Sequence, residues 1–238
     1  MSYYINLSIL SNENRYLHRT ERQKLLSAEA RRILSLCEGR HVTDNDIAGE
    51  TPGGRPFFSN REGGGRKTDF NISHSGNLVA VSLVRGKGLR TGCDVELVRP
   101  RAGAGKIAEE LFTASERDYI ESGGSFDLTR FFQIWTLKEC FLKLRGLSVF
   151  DMSGTPSFID GVEPAVRGSY PFGADGVSPV FFNLYELTGA AEHYILAVAF
   201  EPQPGGGCRE GLTVPEIRWF SQDSLTVVTI PPICRLAG

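Results

Sequence analysis

Asp94 and Glu96 are the first residues whose types and spacing suggest chemistry. They lie in the β-rich run from Leu89 to Val98. Side chains alternate along a strand, so both carboxylates leave the same face. Two carboxylates on one face repel each other unless a cation lies between them. A hard cation such as Mg²⁺ takes a few carboxylates and completes its shell with water and phosphate oxygens. An ordinary solvent-facing strand also contains such pairs.

A third carboxylate lies on a predicted helix from Leu128 to Leu144, which ends at Gly146. Trp135, Glu139 and Lys143 are spaced by four residues, so they share one helix face. A Glu–Lys pair at this spacing is often a simple surface pair. The tryptophan on the same stripe indicates instead that this face is partly buried.

His74 is the third feature, within the segment Asn71-Ile-Ser-His-Ser-Gly76. We expect this segment to form a polar loop before the strand Leu78–Val84. Its hydroxyl and imidazole groups can donate hydrogen bonds to a phosphate. A lone histidine is more often structural, so the segment has weight only in combination with the carboxylates.

In this order, the segments Asn71–Gly76, Gly92-Cys-Asp-Val-Glu96 and Trp135-Thr-Leu-Lys-Glu-Cys-Phe-Leu-Lys143 resemble the signature of the 4'-phosphopantetheinyl transferase superfamily. Their spacing and the chain length resemble the larger, surfactin-synthetase-activating (Sfp-like) branch, in which one chain contains two similar halves. The resemblance covers roughly residues 15 to 200. Cys93, Thr136 and Cys140 depart from the usual residue types, but none is a proposed metal ligand.

The resemblance implies transfer of the 4'-phosphopantetheine group of coenzyme A to a serine of an apo acyl or peptidyl carrier protein, with release of 3',5'-ADP. It implies that Asp94, Glu96 and Glu139 hold Mg²⁺, for which Mn²⁺ would substitute. Glu139, or a water beside it, would take the proton of the carrier serine. Lys143 would neutralise the pyrophosphate. Asp94, Glu139 and Lys143 are therefore the expected catalytic residues.

For coenzyme A, the resemblance implies five contact residues: Arg55 in Gly54-Arg-Pro56, Ser73, His74, Lys138 and Lys143. Arg55 would meet the adenine-side phosphates and His74 the 3'-phosphate. Lys138 would support the pyrophosphate or the leaving group. Arg19 or Arg22 is a further candidate from a basic cluster that otherwise indicates a solvated helix face: Arg15, Arg19, Arg22, Lys24, Arg31 and Arg32.

Two other functions stay open from the residues alone. One is a different Mg²⁺-dependent enzyme that acts on phosphate esters. The other is a catalytically silent module that binds coenzyme A or a carrier protein. The complete set of Asp94, Glu96, Glu139 and Lys143 argues against the silent module. Release of 3',5'-ADP only when apo carrier is present would separate the three.

The elements that must position these residues predict an α/β (α+β) protein. Thr20 and Gln23 have the spacing of a capping box for a helix that ends near Gly39. Two β-hairpins are predicted, from Leu78–Val84 with Leu89–Val98 and from Phe181–Leu187 with Tyr194–Phe200. This repeated layout agrees with the branch that the motifs resemble, which implies two similar α/β halves related by a pseudo-twofold axis, each with helices packed on a small antiparallel sheet.

The first half would be residues 1–100, with the His74 loop and the strand of Asp94 and Glu96. The second would be residues 101–238, with the helix of Glu139 and Lys143. The 238 residues carry a net charge of −2, which does not favour nucleic acid, and the five cysteines are widely spaced without a Cys-x-x-Cys. Without a signal peptide or membrane span, we expect a cytoplasmic protein. Two similar halves in one chain predict a monomer.

Overall fold

The computed structural model describes residues 2–11, 14, 16–49, 54–59, 68–159, 180–188, 192–202, 215–220, 225–228 and 234–237. The helices are α1 (Arg19–Glu38), α2 (Ala104–Leu111), α3 (Ala114–Glu121) and α4 (Leu128–Arg145), with 3₁₀ turns at Asp44–Asp46 and Val149–Gly154. The strands are β1 (Ser2–Ile9), β2 (Ile47–Gly49), β3 (Pro56–Phe58), β4 (Thr68–Ser75), β5 (Leu78–Arg85), β6 (Leu89–Leu97), β7 (Phe181–Thr188), β8 (His193–Pro202), β9 (Glu216–Phe220), β10 (Leu225–Val228) and β11 (Cys234–Ala237).

These strands form two main sheets. The first has the order β10-β9-β1-β5-β4 and the second β11-β7-β8-β6, and β2 with β3 forms a separate ribbon. Strands β1 and β9 are parallel, whereas β1-β5-β4 and β7-β8-β6 are two antiparallel three-strand units. The predicted mixture of helices with small antiparallel sheets is confirmed. Strand β6 joins the second sheet, and β9 and β10 join the first, so each sheet contains strands from both sides of residue 100.

The central strands β5 and β8 are buried on both faces, which explains their nearly continuous apolar sequences. On β5, Val79, Val81 and Leu83 pack against α1, while Leu78, Ala80 and Val84 enter the core between the sheets. On β8, Ile195, Ala197 and Ala199 pack with α4, and Leu196, Val198 and Phe200 enter the same central core. The layers therefore run from α1 through two sheets to α4.

The edge strands β4 and β6 meet through side chains instead of main-chain pairing. Every second side chain of β4 accepts a hydrogen bond from a backbone N–H of β6, over distances of 2.8 to 3.2 Å. The pairs are Asp69 with Thr91, Asn71 with Cys93, Ser73 with Val95 and Ser75 with Leu97. This ladder joins the two sheets at the point where Asp94 and Glu96 lie.

The strand pairing shows that the first predicted hairpin is wrong. Strand β5 is flanked by β1 and β4, and β6 pairs with β8. The Gly86–Gly88 turn therefore carries the chain from one sheet to the other. A short glycine turn between two apolar runs has the same sequence pattern in both arrangements. The second hairpin, β7 with β8, is confirmed.

The polar segment around His74 is also different from the prediction. His74 lies inside β4, opposite Val79 of β5, and the turn is confined to Gly76 and Asn77. Serine and asparagine suggested a loop, but here their side chains satisfy the N–H groups of β6. The capping box at Thr20 is wrong as well, since α1 begins at Arg19 with His18 as its N-cap. Gly39 and Gly146 end their helices in the left-handed conformation, as predicted.

None of the described helices combines the length and apolar character that a membrane span requires.

Candidate active site

Gly92 allows the helix of Glu139 and Lys143 to approach the strand of the acidic pair. A Cβ atom on Gly92 would lie 2.7 Å from the carbonyl oxygen of Cys140 and 2.9 Å from the Cβ of Leu144. Only a residue without a side chain leaves room for α4 at this distance. The close contact brings one face of α4 beside the outward face of β6.

The two faces line a single cleft of about 600 Å³. Six of the residues that the sequence analysis selected are brought together there: Ser73, His74, Asp94, Glu96, Glu139 and Lys143. The opposite wall consists of α1 and the segment that follows it, through Ser27, Ala30, Arg31, Asp44 and Ile47. The predicted convergence of the three carboxylates and Lys143 on one cavity is therefore found in the structure.

Lys143 and Asp94 form the centre of the cleft. Lys143 Nζ donates to Asp94 Oδ1 at 2.6 Å and to Ser73 Oγ at 2.9 Å, and Ser73 Oγ donates to Asp94 Oδ1 at 2.8 Å. Burial is the largest single influence and lowers the pKa of Lys143, but the charge and the hydrogen bond of Asp94, with the smaller effects of Cys93 and Glu139, together outweigh it and raise the pKa above its usual value. Lys143 is therefore a permanent cation in the cleft.

The other oxygen of Asp94 is in a different environment. Asp94 Oδ2 is buried and has no hydrogen-bond partner among the described residues. A buried charged oxygen without a partner is costly. It is the atom that a cation in the cleft would satisfy.

Burial and the negative charge of Asp94 also disturb the other two carboxyl groups. Together they raise the pKa of the Glu139 carboxyl to about 7, although Lys143 opposes the rise. The same causes, burial first and Asp94 second, raise the pKa of Glu96. Three carboxyl groups thus share a cleft in which one lysine does not neutralise them.

The donor set fits the divalent cation that the motif resemblance implies. Among the described residues, no three His, Cys, Asp or Glu side chains surround a common point closely enough to enclose a cation as they stand. Asp94 is committed to Lys143 through Oδ1 only, so Oδ2 is available. Mg²⁺ sites normally use few protein ligands and complete the shell with water and substrate phosphate. A set of two or three carboxylates is therefore sufficient.

His74 lies at the α1 side of the cleft. Its Nε2 is 3.4 Å from Nε2 of Gln23 on α1. Burial, and then the nearby positive charge of Lys143, lower the pKa of His74. The imidazole is thus neutral at pH 7 and able to donate one hydrogen bond.

Arg55 does not line this cleft, and its role in coenzyme A binding stays a prediction. Its guanidinium is fully buried and contacts Asp69 through two hydrogen bonds of 2.5 and 3.0 Å. It also donates to the carbonyl oxygens of Thr91 and Leu144. Arg55 therefore ties β4, β6 and the end of α4 together.

Lys138 is likewise directed away from the cleft. Its side chain and that of Glu116 are both 0% exposed, and Nζ lies 3.0 Å from Glu116 Oε2. Nζ also donates to Thr155 Oγ1 at 2.8 Å and to the carbonyl of Pro156 at 3.3 Å. Lys138 does not line the cleft, and its contact with a pyrophosphate stays a prediction. The lysine joins α4 to α3 and to the segment after Met152.

The basic cluster near the N-terminus separates into different environments. Arg22 donates to the carbonyl of Gly76 at 2.5 Å and to Asn77 Oδ1 at 2.9 Å, so it fastens α1 to the β4–β5 turn. Arg19 is exposed at the start of α1, and Arg15 lies outside the described residues. Arg31 lines the cleft and donates to Asp44 Oδ1 at 2.6 Å. In the sequence, Arg31 belongs only to the basic cluster, and no motif contains Asp44, so neither residue is predicted as a site residue.

Comparison with known proteins gives a class for the segment of the chain that contains the carboxylates. Residues 90–199 match the family model described as the 4'-phosphopantetheinyl transferase superfamily. This range includes Asp94, Glu96, Glu139 and Lys143. The resemblance that the motifs suggested is supported at the level of the superfamily.

Individual relatives carry the same name. The 4'-phosphopantetheinyl transferase AcpT of Salmonella typhi is 35% identical over 105 residues, which are 44% of this chain and 52% of AcpT. AcpT of Escherichia coli K12 is 36% identical over 89 residues, 37% of this chain and 45% of its own. The 4'-phosphopantetheinyl transferase psf-1 of Bacillus pumilus is 35% identical over 81 residues, 34% of this chain and 33% of its own. The chain spans about half the length of the first of these relatives and less of the others.

Proposed function

We propose that this chain is a 4'-phosphopantetheinyl transferase, which moves the phosphopantetheine group of coenzyme A to a serine of an apo acyl or peptidyl carrier protein and releases 3',5'-ADP. The observation that carries the proposal is the cleft in which Asp94, Glu96, Glu139 and Lys143 converge. The superfamily match over residues 90–199 adds to it.

The finer parts of the proposal are the Sfp-like branch, a monomer of two similar halves (1–100 and 101–238) and a cytoplasmic location. The two three-strand antiparallel units, each covered by a long helix, support the idea of two halves. A monomer is the expected state when one chain supplies both halves. Size-exclusion chromatography with light scattering tests this, and a stable trimer would contradict it.

Asp94, Glu96 and Glu139 would hold Mg²⁺, with Mn²⁺ as a substitute. When bound, such a cation supplies neutralisation of the charge on the pyrophosphate and on the 3',5'-ADP leaving group. The unpartnered Oδ2 of Asp94 supports this assignment. Removal of the metal with EDTA should stop the transfer, and added Mg²⁺ or Mn²⁺ should restore it.

Lys143 and Glu139 have distinct roles in the proposed reaction. Lys143 keeps its proton and lies in the middle of the cleft, so it would bind a pyrophosphate oxygen and orient it. Glu139, whose pKa is raised to about 7, would accept the proton of the carrier serine at one of its carboxylate oxygens, directly or through a water. Ser73 and His74 would face the nucleotide end of coenzyme A.

The first experiment measures the mass of an apo carrier protein after incubation with this chain, coenzyme A and Mg²⁺. We expect a gain of one phosphopantetheine group, together with one 3',5'-ADP per modified carrier. Asp94→Ala should abolish the gain, with a circular dichroism spectrum like that of the wild type. If several unrelated apo carriers gain no mass while coenzyme A still binds, the silent binding module is correct. Release of a nucleotide without any carrier would indicate the other phosphate-ester enzyme.

A further inference from the structure

The two serines on either side of His74 repeat one arrangement. Ser73 Oγ accepts a hydrogen bond from the N–H of Val95 and donates to Asp94. Ser75 Oγ accepts from the N–H of Leu97 and donates to Glu96 Oε2 at 2.8 Å. Each hydroxyl therefore binds a carboxylate and the N–H of the following residue. The spacing of two residues on β4 matches that on β6, so one strand holds both carboxylates of its neighbour.

Glu96 is also held from the other side. Trp135 Nε1, on α4, donates to Glu96 Oε1 at 3.2 Å. The indole itself is fixed, because the guanidinium of Arg101 lies 4.5 Å from its ring centroid and the ring of Phe131 stacks at 6.1 Å. One oxygen of Glu96 is thus bound from β4 and the other from α4.

Neither Ser75 nor Trp135 lines the cleft, whereas Glu96 does. Their polar groups contact the Glu96 carboxylate without being part of the cleft lining. Ser73 is different, since it lines the cleft and receives a hydrogen bond from Lys143. Ser75 therefore allows the orientation of one carboxylate to be changed with the least disturbance of other groups.

We infer that Ser75 and Trp135 are positioning residues, which fix the Glu96 carboxylate toward the cleft before a cation and coenzyme A bind. This inference rests on the proposed function. Each carboxylate oxygen keeps a lone pair after it has accepted one hydrogen bond, so both donors are compatible with a cation on the open side. Partners of this kind orient metal ligands, and their loss typically costs about 10- to 100-fold in metal affinity or activity.

The test compares the wild-type chain with Ser75→Ala, Ser75→Thr and Trp135→Phe. Ser82→Ala is the matched control, because Ser82 is a buried serine of the adjacent strand β5 and does not line the cleft. Mn²⁺ binding in the presence of coenzyme A is measured from the electron paramagnetic resonance of free Mn²⁺. Coenzyme A binding without metal is measured by titration calorimetry, and phosphopantetheine transfer by carrier mass.

We expect Ser75→Ala to raise the Mn²⁺ dissociation constant about 10-fold or more, while coenzyme A affinity without metal is unchanged. Ser75→Thr keeps the hydroxyl and should restore Mn²⁺ binding. Trp135→Phe should, like Ser75→Ala, weaken Mn²⁺ binding without a change in coenzyme A affinity. Ser82→Ala should resemble the wild type in both measurements.

The inference is overturned if folded Ser75→Ala binds Mn²⁺ as the wild type does, or if coenzyme A affinity without metal falls in parallel. It is also overturned if the wild type does not bind Mn²⁺ at all. Failure of the proposed function has a different signature. In that case no apo carrier gains mass with the wild-type chain, although Ser75→Ala still weakens Mn²⁺ binding and leaves coenzyme A affinity unchanged.

Discussion

Replacement of Lys138 by methionine separates the role that the motif suggested from the one that the structure assigns. The family resemblance implies that Lys138 supports the pyrophosphate or the leaving group of coenzyme A. In the structure its ammonium lies against Glu116, and both side chains are fully buried. Glu116 also accepts hydrogen bonds from the backbone N–H groups of Thr113 and Phe158. Lys138→Met keeps the apolar stem but leaves the Glu116 carboxylate buried without its cation.

The size of the effect follows from this burial. Breaking a fully buried pair by removing one partner costs about 3–5 kcal/mol, because an uncompensated charge stays inside the protein. For a chain of this size, about 1 kcal/mol corresponds to 2–4 °C in the melting temperature. We therefore expect Lys138→Met to melt about 6 to 20 °C below the wild type. The double variant Glu116→Gln/Lys138→Met should recover part of the loss, since it has no buried charge.

The assay combines thermal denaturation with coenzyme A titration below the unfolding transition. The folded fraction of Lys138→Met should bind coenzyme A with wild-type affinity. Lys87→Met, at an exposed turn between β5 and β6, controls for the loss of a lysine as such. Wild-type stability combined with strongly weakened coenzyme A binding would refute the reasoning and return Lys138 to the ligand site.

Three further predictions concern the frame of the cleft. Gly92→Ala places a Cβ 2.7 Å from the carbonyl oxygen of Cys140, so α4 must move. We expect the free energy of unfolding in urea to fall by about 1–3 kcal/mol. An unchanged midpoint of the urea transition would contradict this. Arg55→Met should lower the free energy of unfolding by about 3–5 kcal/mol, because it leaves buried Asp69 without its cation. The folded variant should keep its affinity for coenzyme A. Unchanged stability with weakened coenzyme A binding would instead make Arg55 a ligand residue. Glu139→Gln, measured with EDTA, should stabilise the protein increasingly between pH 4.5 and about 7. In this pH range the folded protein keeps the proton of Glu139, whereas the unfolded chain has released it. The free energy of unfolding of the wild type therefore falls by up to about 3 kcal/mol as the pH rises. A difference in melting temperature that does not depend on pH would exclude this cause.

Local periodicity accounts for the part of the site that the sequence predicts. The period of two in a strand puts Asp94 and Glu96 on one face, and the spacing of four in a helix aligns Glu139 with Lys143. These rules need no knowledge of distant residues. The ordered motifs then connect the two faces, and the structure brings both to one cleft.

The same local rules misjudge the strand pairing around these motifs. A polar segment with two serines predicts a loop, yet it is a strand whose side chains satisfy the N–H groups of β6. The β5–β6 turn predicts a hairpin, yet the two strands belong to different sheets. The pairing of a strand depends on which distant segment packs beside it, as β1 does beside β5 and β8 beside β6. A local sequence pattern does not contain this information.

By itself, the sequence determines the residue types of the site, the faces on which they lie and the helix ends at Gly39 and Gly146, since all of these depend on neighbours within a few positions. Tertiary structure alone decides which charged residues reach the cleft. Arg55 and Lys138 stand inside recognisable motifs, but Asp69 and Glu116 pair with them and close them off from the cavity. A buried charge requires a partner, and the chain finds that partner through packing at a distance that sequence spacing does not reveal.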